Sequence, residues 1–227
     1  MSHRSAVCTS HVPGSRIMVG AVAGALVGGV LAALAVTASP AQAGVITVPV
    51  NCSEKVVLDR DDTDYDLNGT CGVVVVTGDR ITVSMPAAQR LVVRGADNVV
   101  ESKTIDIVVM KGRDHRVSLP SARVLRLASP GSRFDAEGLI ELAALDRRRG
   151  TVTADQISEL RVDGRGHDVE ARRGFDSRIP GNRNDIDFRR LQSVVLTGDH
   201  TALTVTRGST EVDDDGSNNR VRVNRRS

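Results

Sequence analysis

The stretch "VVVVTGDRITV", residues 73–83, decides the fold, because the chain repeats its pattern. Residues 90–100 read "RLVVRGADNVV" and residues 106–119 read "DIVVMKGRDHRVSL". The pattern returns in "ELRVDGRGHDVEA" (159–171), "RIPGNRNDIDF" (178–188), "SVVLTGDHTALTV" (193–205) and "TEVDDDGSNNRVRV" (210–223). The alignment rests on Gly78, Gly95, Gly112, Gly164, Gly181, Gly198 and Gly216, with Gly131 and Arg147 filling the two gaps. Successive reference positions then fall 16 to 19 residues apart, most often 17. Self-similarity of this kind is the mark of a repeat architecture.

The columns of the alignment carry the physics. Four residues before the reference stand Val74, Leu91, Val108 and Leu127; two before stand Val76, Val93, Met110 and Ser129. Five after stand Val83, Val100, Val117 and Ala136, and the columns continue in kind to the last repeat. The residue just before the reference is mostly polar, as at Thr77, Arg94, Lys111 and Asp163. Apolar residues two apart with polar ones between them mean β-strands, whose side chains alternate between faces. At about 3.3 Å per residue, 17 residues trace roughly 55 Å, the perimeter of one small coil. Stacked coils bury a continuous apolar column that a single coil cannot bury. The expectation is an all-β chain: a parallel β-solenoid of about ten coils. The alternative is an antiparallel β-sandwich, which also shows short regular strands. The reference glycine is expected to supply a turn with positive φ.

Composition agrees with a core built without rings: the chain has no Trp, one Tyr and three Phe. A formal charge of +2 speaks against nucleic acid as a partner. Residues 1–43 read as a signal peptide, with Arg4 and Arg16 ahead of an apolar run (residues 17–36) and Ala41 and Ala43 placed for cleavage. An uncleaved membrane anchor is the alternative, since the run is near spanning length and Gly20, Gly24 and Gly28 have the spacing of packed membrane helices. Residues 44–227 then form one solenoid domain. Its first coils and N-terminal cap lie in 44–71, and a C-terminal cap lies in 209–227, where Asp214 breaks an apolar column. Secretion or residence in the cell envelope follows. Cys52 and Cys71, the even pair left after processing, are expected to form a disulfide between neighbouring coils.

Four features invite a chemical reading. "DYDLNG" places Asp64, Asp66 and Asn68 as the opening of a calcium loop. Val75 stands where the loop's closing Glu belongs, so an Asn-Gly turn is the expected reading and calcium only a weak one. The column three after the reference runs Ile81, Asn98, His115, Phe134, Gly150, His167, Asn184, Thr201 and Asn219. It is expected to be a polar ladder that satisfies backbone groups, with both histidines structural. Asp97 and Asp114, one coil apart, could imitate a catalytic pair, but turn residues are the plainer account, and no catalytic residue is assigned. Arg172, Arg173, Arg189, Arg190, Arg207 and Arg225 would form a basic ridge, suited to an anionic polysaccharide or other envelope polymer. Glu159, Asp176 and Glu211 could instead neutralise that ridge. No cofactor is expected. "LDRRRG" (residues 145–150) looks like a coil irregularity with a surface bulge.

The combination of signal segment, "NGTCGVVVVTGDRITV", "LVVRGADNVV" and "GSNNRVRV" resembles a domain of unknown function from actinobacterial secreted proteins and putative lipoproteins. That family shows runs of Gly-x-x-Asn followed by a β-branched strand. The resemblance covers roughly residues 68–223 and implies export and fold, but no activity. Three function classes stay open: a passive envelope scaffold, a module that binds an anionic polymer, and a polysaccharide-acting enzyme by analogy with known β-helices.

Overall fold

A computed structural model describes residues 47–224. The signal segment, Cys8 and Arg225 lie outside the described residues. Among the described residues sixteen strands make one coiled sheet: β1 (Thr47–Asn51), β2 (Lys55–Leu58), β3 (Asp64–Asn68), β4 (Thr70–Val76), β5 (Thr82–Val93), β6 (Val99–Lys111), β7 (Arg116–Leu119) and β8 (Ala122–Ala128). They continue through β9 (Arg133–Ala136), β10 (Leu139–Leu145), β11 (Thr151–Val162), β12 (Asp168–Ile179), β13 (Asp185–Leu196), β14 (Ala202–Val205), β15 (Glu211–Asp214) and β16 (Arg220–Val223).

Two parallel walls run through this order. One is β1-β3-β5-β6-β7-β9-β11-β12-β13-β14-β16; the other is β2-β4-β5-β6-β8-β10-β11-β12-β13-β15. In the coils of β5, β6, β11, β12 and β13, one long strand serves both walls; elsewhere two short strands do so. The protein is therefore a parallel β-solenoid of about ten turns. Leu91 lies beside Val108 on parallel neighbours, an arrangement an antiparallel sandwich cannot contain.

The walls enclose a ring-poor core. Val74, Leu91, Val108, Val83, Val100 and Val117 are each fully buried. Two glycines make room for larger neighbours. A Cβ on Gly174 would meet the ring of Phe188, and one on Gly150 would meet the side chain of Leu127. Volume is thus exchanged between neighbouring coils, as dense packing requires.

The register departs from the sequence alignment in one coil. Val108 pairs with Leu125, not Leu127, and Met110 pairs with Leu127, not Ser129. Val117 pairs with Phe134, not Ala136. Ser129 therefore occupies the reference position, and Gly131 stands two residues past it. Ser132 replaces Phe134 in the ladder, and Ala122 replaces Val124 in the column of Cys71.

Backbone conformation gives the reason. Positive φ falls two residues after the reference in every turn: Asp62, Arg80, Asp97, Asp114, Gly131, Arg149, Gly166, Arg183, His200 and Asn218 lie between 50° and 71°. Gly131 belongs to this left-handed column. Among the aligned reference glycines only Gly95 and Gly112 have positive φ. What the others need is close approach. A Cβ on Gly181 would fall on the carbonyl oxygen of Gly164, and one on Gly198 would fall on that of Gly181. The expectation that the reference glycine supplies a turn with positive φ holds at Gly95 and Gly112 and is corrected at Gly78, Gly164, Gly181, Gly198 and Gly216, where the glycine lets one coil's backbone rest on the next.

Candidate functional site

Inside each turn the polar column forms a ladder. Asn98 Oδ1 accepts the N–H of Ile81 at 2.8 Å, and His115 Nδ1 accepts that of Asn98 at 3.3 Å. Ser132 Oγ accepts the N–H of His115 at 2.8 Å. The same step recurs from His167 Nδ1 to Gly150, from Asn184 Oδ1 to His167 and from Asn219 Oδ1 to Thr201. Donors return to the stacked backbone: Asn98 Nδ2 donates to Gly78 and Arg94, and Asn184 Nδ2 donates to Gly164. Each rung thus satisfies an N–H that the turn leaves without a sheet partner.

Both histidines are rungs. His115 accepts at Nδ1, so its Nε2 carries the proton and donates to the Lys111 carbonyl at 2.6 Å. His167 accepts at Nδ1 likewise, while its buried Nε2 has no partner. Burial pushes both imidazoles below their ordinary value. Protonation would also set a ring N–H against a backbone N–H. They are neutral struts.

Asp64, Asp66 and Asn68, the weak calcium candidates, stand in a plain strand. These residues lie on β3, an extended strand with Tyr65 and Leu67 buried between them. Extended backbone spreads alternate side chains along a line rather than around an ion. Gly69 turns the chain at φ +90°, as an Asn-Gly turn requires. Among the described residues, no three His, Cys, Asp or Glu side chains gather where they could hold a metal. Asp97 and Asp114 are left-handed turn residues with φ 56° and 58°. The disulfide is present: Cys52 and Cys71 are bridged, with Cα atoms 4.7 Å apart.

The arginine ridge is built in part. Arg173 pairs in register with Arg190, and Arg207 follows one coil on. Its first members are engaged: Asp155 receives Arg173 Nη2 at 2.8 Å and lies 3.1 Å from Arg172 Nη1. These contacts, the Arg173 hydrogen bond foremost, hold the Asp155 carboxyl below the usual range. Neutralisation of Arg172 and Arg173 therefore comes from Asp155; among the described residues Glu159, Asp176 and Glu211 form no ion pair with the ridge, and Asp176 instead accepts a hydrogen bond from Ser193. Among the described residues Arg189, Arg190 and Arg207 make no ion pair. Asp155, Arg172, Arg189 and Phe188 line a shallow groove of about 700 Å³ beside them.

A second basic group stands at the turn corner, which the sequence reading passed over as an irregular bulge. Arg147, Arg148 and Arg149 share one turn, and the next two coils add Arg165 and Arg183. Three contiguous hollows of about 630, 600 and 260 Å³ run past them. The signal was in plain view: three successive arginines in one turn, where the other turns carry at most one.

Comparison with known proteins adds one finding. Residues 61–114 match a family described as a protein of unknown function (DUF3060). No curated protein and no solved structure matches the chain. The matched stretch holds the turns of Asp62, Arg80, Asp97 and Asp114 and the first polar rung of the ladder, Asn98.

Proposed function

We propose that this chain is an exported binding module whose solenoid holds an anionic envelope polymer along its side. The observation that carries this reading is the file of Arg189, Arg190 and Arg207, on adjacent coils and without an acidic partner among the described residues. Coils repeat at about 4.8 Å, so the guanidinium groups form a ruler of positive charge. Planar guanidinium forks suit carboxylates and phosphates. Export is supported by the apolar run ahead of Ala41 and Ala43 and by the Cys52–Cys71 bridge, a linkage that persists in oxidising compartments. The resemblance to secreted actinobacterial proteins points the same way.

The reading is tested by retention on an immobilised polyanion at two salt concentrations. Retention at low salt, loss at high salt and loss in the Arg189→Ala/Arg190→Ala/Arg207→Ala variant are expected. No retention on any polyanion overturns it.

A further inference from the structure

We propose that the corner formed by Arg147, Arg148, Arg149, Arg165 and Arg183 is a second anion site, which takes an acidic polysaccharide laid along the stack axis. The site lies at a different position of the coil from the ridge and does not require it.

Charge is the first argument. Towards the N-terminus, the arginines of this corner are matched by acids: Arg80 is hydrogen-bonded to Asp62, and Arg113 lies 3.8 Å from Asp114. Further along, the matching stops. Among the described residues none of the five makes an ion pair. Two carboxylates nearby are committed elsewhere: Asp163 binds Arg161, and Asp199 accepts the N–H of Ser217. Asp146 alone flanks the group in sequence. Like charges at coil spacing repel one another, which an incoming anion relieves.

Backbone conformation is the second argument. Arg147, Arg149 and Arg183 hold φ of 69°, 50° and 56°. A left-handed residue with a bulky side chain costs about 1–2 kcal/mol. At the same position most other coils carry Asp, Asn or Gly; of the exceptions, Arg80 is paired with Asp62, and His200 stands one coil beyond Arg183. Arg147 also stands at the reference position, where most coils keep a glycine. Unlike Arg80, the residues Arg147, Arg149 and Arg183 combine this uncommon conformation with no carboxylate partner among the described residues, which marks a site that local stability does not explain.

Spacing names the ligand. Arg148 and Arg165 pair across neighbouring coils, so they are about 4.8 Å apart in the axial direction. Arg149 and Arg183 are two coils apart, with Gly166 between them leaving a gap in the file. A chain bearing one carboxylate per sugar advances by a comparable step. Pro130, Pro180 and Gly181 line the hollows, and the His200 imidazole is the one ring in their lining. A single-stranded nucleic acid would need a succession of rings for its successive bases.

The test is binding of the full chain to polygalacturonate at two salt concentrations. Neutral dextran, single-stranded DNA and anionic vesicles serve as comparators. The Arg148→Gln/Arg165→Gln variant, which touches no left-handed residue, is expected to lose about tenfold in affinity and to flatten the salt slope. Its circular dichroism and melting temperature should stay unchanged. Adding Arg183→Gln should deepen the loss, while Arg189→Gln/Arg190→Gln/Arg207→Gln should leave the corner's share intact. Wild-type affinity in the corner variants overturns the inference even if the ridge variant abolishes binding. Tighter binding of DNA or vesicles through the same arginines overturns the choice of ligand.

Discussion

Asn184 Oδ1 accepts the backbone N–H of His167 from the preceding coil at 2.9 Å, and its Nδ2 donates to the carbonyl of Gly164 at 3.2 Å. One side chain thereby closes both halves of a turn, and the relation repeats along the stack with Asn98 and Asn219. A rung is a hydrogen-bonding adapter between coils.

Removing a rung exposes its cost. Asn98 is fully buried and serves the N–H of Ile81 and the carbonyls of Gly78 and Arg94. Asn98→Ala leaves these groups unsatisfied and should destabilise the fold by about 1–3 kcal/mol. Urea unfolding measures this. Asn98→His, which copies the next rung, should recover part of the loss.

The stacked glycines make a separate prediction. Gly181→Ala drives a Cβ into the Gly164 carbonyl oxygen, a backbone atom that cannot swing away. A loss of about 2 kcal/mol or more is expected. At Gly208, φ is +91° but nothing lies within 4 Å of an added Cβ. Gly208→Asn should cost about 1 kcal/mol or less, since Asn tolerates the left-handed region. Thermal melts of the two variants separate crowding from turn conformation.

The buried histidines set a pH dependence. In the unfolded chain His115 and His167 protonate near 6.5; in the fold, burial lowers both values. Asp114, Asp97 and Asp79 around His115, and Asp146 near His167, oppose that lowering without reversing it. The unfolded state therefore binds more protons below about pH 6.5, and stability falls as pH drops from there towards the folded values. Above pH 8 the contribution is flat. Urea midpoints between pH 8 and 5 should show the decline, and the His115→Asn/His167→Asn variant should lose most of it.

The bridge between Cys52 and Cys71 closes a loop of 19 residues at the first coils. Replacing both by Ser should lower stability by about 2–4 kcal/mol. The loss should match that caused by reduction of the native chain with a thiol, measured by the same melt.

Much of this was legible in the sequence because a solenoid writes its period directly into it. Val74, Leu91 and Val108 announce one column, and the seventeen-residue step announces the coil. The cysteines and the ladder of Asn98, His115 and Asn184 followed from the same period. What misled was treating glycine as one kind of signal. Gly131 answers a need for left-handed φ and Gly181 a need for empty space, and a letter does not distinguish the two. That is why one coil was shifted by two residues, placing Leu127 where Leu125 belongs. The Asp155 clamp on Arg172 and Arg173 was hidden for another reason: it depends on side-chain reach between columns. The corner arginines were visible as letters on correctly aligned coils, but that they lack carboxylate partners depends, like the Asp155 clamp, on side-chain reach.

The register is also where the central claim is most exposed. Val109 pairs with Arg126 on the next coil, whereas alignment on Gly131 would set it beside Ala128. Engineered pairs decide the matter: Val109→Cys with Arg126→Cys, and Val109→Cys with Ala128→Cys, each oxidised and mapped by mass. A parallel stack in the stated register predicts rapid bridging of 109 with 126 and little of 109 with 128. Preferential bridging of 109 with 128, or none in either variant, would contradict it.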